Sequence, residues 1–392
     1  MKLLQLQMLL KKNTLLMVLV MVLCSSCKKN RKSEIALPAI QKESLKNSYA
    51  EGFKITKTTN NILLEINSPW PNSEKTYSYL LLTKKQAMTS TYNKDDYDGI
   101  ITIPIKSIVV TSTTHIPALE LLEVEQTLVG FPGTDYVSSE KTRSLIDNGH
   151  IRELGKNEGI NTEVLLKLQP EVVVGFGIDG NNKTFETIKK SGIPVIYNGD
   201  WVEKSPLAKA EWIKFFGVLF NKEKKADSVF KIIENNYNEA KLLAANVTKQ
   251  PTVLCGAMHK DIWYLPSSTS PEAQLLKDAN VNYLWQNSTG NGSLALSFES
   301  VYNKAKDADI WLSPSYYTSY ESLEKASEHY TKFDAFKNKA IYSFSNTTGA
   351  TGGVTYYELG IARPDLILKD LIKICHPNLL TNYETHFFKA LR

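Results

Sequence analysis

Between Ser107 and Asn198, uninterrupted apolar runs alternate with segments of helical periodicity, and this limits the fold more than any other feature of the chain. The segments "SIVV", "TLVGF", "EVVVGF" and "IPVIYNG" have the length and composition of strands. The segments "IPALELLEV", "EVLLKLQ" and "KTFETIKKSG" read as the helices between them. A strand that is apolar on both faces must be covered on both, the condition of a parallel sheet flanked by helices. The alternation restarts after Pro251. There "TVLCG", "DIWYL", "DIWLS" and "AIYSF" are strands, and "SPEAQLLKDA", "SFESVYNKAKDA" and "RPDLILKDLIKICHP" are helices. Between the two regions runs a stretch almost without breakers, Ser205 to Asn246, interrupted only by Gly217 and Asn221. It reads as one or two long helices. The expected fold class is α/β, with two parallel-sheet α/β lobes joined by long helices and a cleft between them, where ligands bind.

The beginning of the chain is of another kind. Lys2, Lys11 and Lys12 precede the apolar "TLLMVLVMVL" and then "CSSC", the arrangement of an export signal. The apolar core is too short to span a bilayer as a mature helix. "SSC" before "KKN" resembles a bacterial lipoprotein box, with Cys27 as the acylated residue. That places the protein in the periplasm, tethered to a membrane by lipid. Residues 1–26 are read as the signal peptide and 27–50 as a polar tether. Residues 51–105 are a β-rich N-terminal addition carrying a turn at Asn60-Asn61. The first lobe follows over 106–203, the linker helices over 204–248, and the second lobe over 249–392.

The 392 residues carry a net charge of +5, with the lysines scattered over expected helix faces, so nucleic acid is not an expected partner. Two cysteines remain beyond the signal and the lipid site. Cys255 is expected in a strand and Cys375 in a helix, both free and buried, with a disulfide between them as the alternative that export allows.

The segment "GFGIDG" at 175–180 matches a dinucleotide-binding fingerprint on paper, with Asp200 placed twenty residues on. The helix that should meet the pyrophosphate begins too late, however: Asn181, Asn182 and Lys183 intervene. A nicotinamide-dependent enzyme using this loop is kept as the alternative from a different class. The six histidines show no metal-ligand spacing, so neither a metal site nor a cofactor is expected. No catalytic motif is present and no enzymatic activity is expected. Ligand contacts are expected instead from Thr114 and His115 after the first parallel strand, and from aromatics at strand ends. These are Phe131, Tyr136, Phe176 and Trp201 in the first lobe and Trp263, Tyr264, Tyr316, Tyr317, Tyr356 and Tyr357 in the second. Arg363 offers a cation.

An echo links the lobes. Asn161-Thr162-Glu163 opens a helix that feeds "EVVVG", and Ser297-Phe298-Glu299 opens one that feeds "DIWLS". Each Glu stands in a first helical turn, where a carboxylate favours the helix dipole.

Together, "SIVVTSTTHIPALELLEVEQTLVGF", "GKNEGINTEVLLKLQPEVVVGF", "IKKSGIPVIYNGDW" and "SPLAKAEWIKFFGVLF", followed by "SFESVYNKAKDADIWLS" and "RPDLILKDLIKICHP", resemble the periplasmic-binding-protein family. That family serves ABC importers of iron–siderophores, haem and cobalamin. The resemblance implies two α/β lobes bridged by a rigid helix. It implies a small-molecule metal chelate as ligand, an iron–siderophore first and a cobalamin or haem as the alternative. It also implies an ABC permease dimer with its ATPase as partner, met by Glu163 and Glu299. Asn157 stands where cobalamin binders of the family carry a Trp.

Overall fold

The computed structural model describes residues 43–392 except Ser90, Glu158 and Asn291. The expected signal peptide, the lipid site at Cys27 and the tether up to residue 42 lie outside the described residues.

The first lobe is built on a five-stranded sheet in the order Val195–Asn198, Val172–Phe176, Ile108–Val110, Leu128–Phe131 and Arg152–Glu153. All four pairings are parallel. Three of the four apolar runs are the inner strands and the fourth, Val195–Asn198, lies at an edge; Ile108, Val109, Val110, Val172, Val173 and Val174 are completely buried. The chain builds outward from Ile108–Val110 to one side and then returns to build the other. Its switch point therefore falls between that strand and Val172–Phe176, where a crevice opens beyond the strand ends.

The second lobe repeats the plan. Asn282–Tyr283, Thr252–Cys255, Ile310–Leu312 and Ile341–Ser343 are parallel, and Lys389–Ala390 closes one edge antiparallel. A second sheet of Ala257–His259, Ile262–Pro266 and Ser293–Ser297 is antiparallel; of its strands only Ile262–Pro266, the "DIWYL" run expected in the parallel sheet, is marked in the sequence pattern. Its last strand, "SLALS", is short and flanked by Ser, and none of its residues is fully buried.

The run between the lobes forms three helices, Pro206–Glu211, Ile213–Leu219 and Glu223–Ala245, rather than one or two. Asn221 adopts a left-handed φ of 53°, which ends the second helix. Gly217 lets the third approach: a Cβ there would lie 2.7 Å from the Ala226 Cβ. Glu223–Ala245 has 23 residues, about 34 Å at 1.5 Å per residue. It packs on both Ile213–Leu219 and the second-lobe helix Pro364–Cys375.

The N-terminal addition is a five-stranded sheet in sequence order, Glu43–Leu45, Phe53–Lys57, Ile62–Asn67, Thr76–Thr83 and Gly99–Ile103. It is antiparallel except for its last, parallel pair. Residues 43–50, expected as tether, belong to this fold. The Glu211 carboxylate, completely buried, accepts the backbone N–H groups of Ser48, Tyr49 and Ala50 at 2.8 Å each. Glu203 does the same for Gly52 and also accepts from the Trp212 indole. Partners so far apart in the chain leave no local periodicity to read.

Candidate functional site

Phe176 ends its strand at the switch point of the first-lobe sheet. The Phe176 N–H donates to Thr111 Oγ1 at 2.8 Å, joining the two strands that flank the switch point. The half-buried Phe176 ring meets Trp201 edge-on, with centroids 5.7 Å apart. Asn157 donates to the Phe176 carbonyl oxygen. Two buried polar atoms at this edge, Trp201 Nε1 and Asn157 Oδ1, have no partner. A buried donor or acceptor without a partner costs about 1–3 kcal/mol, so these atoms are poised to bond something that arrives.

The edge continues to Thr114, whose hydroxyl donates to Asp200 Oδ2 at 3.1 Å. Burial drives the Asp200 carboxyl up to about 6, against the opposing pull of Lys209 and the Thr114 hydrogen bond. Asp200 Oδ1 has no partner.

The helix Thr355–Ala362 lies between the lobes, packed on the first-lobe segments Thr113–His115 and Ile116–Leu121. Its Glu358 is buried and reaches into the first lobe. Glu358 accepts from the N–H groups of Ser138 and Ser139 at 2.7 and 2.9 Å and from the Ser138 hydroxyl at 2.9 Å. Burial raises the Glu358 carboxyl above its ordinary value, and the Ser138 and Ser139 donors hold that rise in check. Thr351 donates across the same boundary to the Asp135 carbonyl oxygen at 2.8 Å. Glycines permit the approach: a Cβ on Gly353 would strike the Tyr136 carbonyl oxygen, and one on Gly349 the Ser138 backbone.

Two cavities of about 220 and 200 Å³ flank Tyr356 and Tyr357. They share Glu272, Leu275, Tyr356, Tyr357 and Ile367, and so form one groove. One end reaches the strand ends of the second lobe at Cys255, Gly256, Leu312 and Ser313, beside Phe344. The other reaches Pro206 and Lys209 on the first bridging helix, and every lining residue belongs to that helix or to the second lobe. Tyr356 stacks on Phe344 with centroids 4.2 Å apart, and the more exposed Tyr357 stands 6.4 Å from Tyr316. Tyr316 is 70% and Tyr136 73% exposed, each a free aromatic surface on its own lobe.

Several expected contacts lie elsewhere. His115 is completely buried against Phe216, with neither ring nitrogen partnered, and burial pushes its pKa down to about 3. It turns into the core because the helical turn Thr113–His115 is covered by Thr355–Ala362. Phe131 is buried in its strand, and Trp263 packs inside a cluster with Trp311, Tyr330 and Phe333. The burial of Ile262–Pro266 alternates, so Trp263 faces inward and Tyr264 outward. Tyr317 packs edge-on against Tyr330 at the margin of this cluster. Arg363 is engaged by Asp365, with Nε and Nη2 at 2.9 and 2.8 Å from its two carboxylate oxygens. Its charge is directed at a fully buried anion rather than offered to a ligand. The polar groups of the groove, Lys209 and Glu272, carry no sequence signal that sets them apart from other helix-surface charges. Glu358 does have a legible signal, a carboxylate set beside the apolar "LGIA" helix end.

The two expected docking residues occupy equivalent local settings. Asn161 caps Thr162–Leu168 and Ser297 caps Phe298–Ala305, each by accepting the N–H three residues on. Glu163 and Glu299 are thus second in their helices, exposed, and relieved of the capping role. Glu163 pairs with Lys167 at 2.7 Å, whereas Glu299 makes no ion pair among the described residues.

The glycine-rich loop does not meet a helix. Lys183–Lys190 begins beyond it, capped by Asn182. Gly177 and Gly180 are instead covered by the Trp70 indole, each with its Cβ direction ending 3.5 Å from the ring. The backbone that would cradle a pyrophosphate is occupied, and this removes the basis for the dinucleotide reading.

Comparison with known proteins agrees with this arrangement. Residues 108–347 match the family model described as periplasmic binding protein. An uncharacterized lipoprotein of Methanocaldococcus jannaschii is 28% identical over 301 residues, covering 74% of this chain and 69% of the relative. Among solved structures, a periplasmic binding protein from Veillonella parvula superposes with a TM-score of 0.57 at 11% identity. It covers 81% of this chain and 98% of its own. Helicobacter pylori CeuE with Ni(II) bound gives 0.54 at 19% identity, covering 72% and 88%. The periplasmic heme-binding protein RhuT from Roseiflexus sp. RS-1 gives 0.53 at 17% identity, covering 70% and 99%. With two α/β lobes, bridging helices and a family match over more than half of its length, the chain belongs to the periplasmic binding protein family.

Proposed function

We propose that this protein captures a small-molecule metal chelate in the periplasm and delivers it to an ABC permease dimer driven by its ATPase. The observation that carries this reading is the groove along Tyr356 and Tyr357, which runs from the strand ends of the second lobe to Lys209 on the first bridging helix. An aromatic wall with one cation and one carboxylate suits a broad, partly apolar ligand with polar groups at its margin. In this reading Phe176, Trp201, Thr114 and Tyr136 line the first-lobe side; Tyr316, Tyr356 and Tyr357 line the other. The heme and Ni(II) named for the structural neighbours support the class. A ferric siderophore is our first assignment, with haem or cobalamin as the alternative.

Cys27 carries the lipid in this reading, which holds the soluble lobes at a membrane surface. Glu163 and Glu299, one exposed carboxylate per lobe, suit a two-fold symmetric basic partner. Tryptophan-fluorescence titration with a ferric trihydroxamate, haemin and cyanocobalamin tests the ligand class. At least one binder of sub-micromolar affinity is expected, and failure of all three overturns the assignment.

A further inference from the structure

The N-terminal addition lies outside the segment that matches the family, yet it reaches the strand ends at the first-lobe switch point. The turn Ser68–Ser73 is closed by two hydrogen bonds, Ser73 N–H to the Trp70 carbonyl at 3.2 Å and Ser68 Oγ to the Ser73 carbonyl at 2.8 Å. It bears on three glycines that follow first-lobe strands. Trp70 lies over Gly177 and Gly180, and Pro69 Cα stands 3.0 Å from where a Gly199 Cβ would be. Gly177 is next to Phe176, and Gly199 is two residues before Trp201. The contact therefore sits beside the Phe176–Trp201 pair.

Trp70 is itself buried, held edge-on by Tyr77 and Tyr197 at 5.8 and 5.0 Å. Behind it the addition is anchored by the buried carboxylates of Glu203 and Glu211 and by Tyr79, whose hydroxyl donates to the Val195 carbonyl at 3.0 Å. A turn held so firmly against a loop of small residues fixes that loop. What the fixed loop presents is Ile178, 63% exposed. An isolated apolar side chain on a short loop would gain nothing from being ordered on its own.

We infer that the Pro69–Trp70 turn forms a third wall of the solute cleft, with Trp70 as a positioning residue that pins the Gly177–Gly180 loop and sets Ile178 at the rim. The inference rests on the proposed function for the identity of the cleft; the clamp itself rests on the contacts above. It gives the addition a part in selecting which solutes fit.

The test uses the full chain with Trp70→Ala, Trp70→Phe and Ile178→Ser. Hydrogen exchange over 177–182 and affinities for haemin, a ferric trihydroxamate and cyanocobalamin are measured. Trp70→Ala is expected to speed exchange in this loop by about tenfold while the sheet beneath stays protected. It is also expected to change the ratio of affinities between the two best probes by about fivefold or more, roughly 1 kcal/mol. Trp70→Phe restores both, and Ile178→Ser shifts the ratio without the exchange. A purely structural Trp70 would lower melting temperature and leave the ratio alone. Unchanged loop exchange in Trp70→Ala overturns the clamp, and freed exchange with unchanged ratios overturns the wall. If Trp70→Ala fails to fold, Ile178→Ser decides through the ratio. If the wild type binds none of the probes, the ligand class falls, while loop exchange still tests the clamp.

Discussion

The Glu358 carboxylate accepts the Ser138 N–H at 2.7 Å, although 220 residues separate the two and they belong to different lobes. With the Ser139 N–H on its other oxygen, it forms a bidentate bridge held entirely by neutral donors. Removing it would strand two backbone donors in a dry boundary. Glu358→Ala is expected to cost about 2–4 kcal/mol in urea unfolding. Glu358→Gln keeps one acceptor oxygen and should lose roughly half as much. Gly353→Ala approaches the same boundary from the other side by forcing a methyl onto the Tyr136 carbonyl. It should weaken solute binding by driving the lobes apart, as read by small-angle scattering and titration.

Buried acid and base groups give this protein two opposed pH dependences. Asp200 has its pKa raised to about 6, so the folded state holds a proton that the unfolded chain releases near pH 4. Its favourable contribution is complete below about pH 4 and is lost as pH rises to 6; above that the charged, buried carboxylate is a constant burden. Asp200→Asn should therefore raise stability at pH 8 by about 2 kcal/mol and change it little at pH 4. His115 runs the other way. Its pKa is lowered to about 3, so its neutral form supports the fold above about pH 6.5 and that support drains away as pH falls toward 3. His115→Leu should flatten the acid limb of a melting-temperature profile between pH 6.5 and 4. An unaltered profile in either variant would contradict the burial described.

Docking is expected to be separable from binding. Glu163→Ala and Glu299→Ala should each slow transport in reconstituted vesicles and leave solute affinity unchanged. Glu299, which makes no ion pair among the described residues, should weigh at least as much as Glu163, which is partly neutralised by Lys167. Normal transport by the double variant would remove the docking assignment.

Glu211 is the anchor of the addition. It is completely buried, and besides three backbone N–H groups it meets Lys214 at 2.8 Å. Glu211→Ala is expected to cost about 3–5 kcal/mol, the penalty for breaking a buried charged network. Limited proteolysis should then cut first between residues 43 and 58.

Much of the architecture is legible in the sequence because burial on both faces writes itself into consecutive residues, as in Val172–Val174. The capped helices at Asn161 and Ser297 are legible for the same reason: a cap and its first turn are neighbours in sequence. The site is less so. The run Ile262–Pro266 is apolar throughout while its burial alternates, so Trp263 and Tyr264 both read as cleft residues although Trp263 faces the core and only Tyr264 faces out. His115 looks available in sequence because its coverage by Thr355–Ala362 is decided by tertiary packing, whereas Arg363 is taken by Asp365 only two residues on. Glu203 and Glu211 belong with His115, since an acidic residue on or beside a helix reads as solvated until a distant backbone is found against it.

The most direct test of the Tyr356–Tyr357 groove as the solute site is the affinity of a Tyr316→Ala/Tyr357→Ala double variant for the chelate that binds the wild type most tightly. Both rings are exposed, so the melting temperature should change little. Loss of two stacking surfaces should weaken binding by about 30-fold or more, roughly 2 kcal/mol. Wild-type affinity in a folded double variant would show that the solute is held elsewhere.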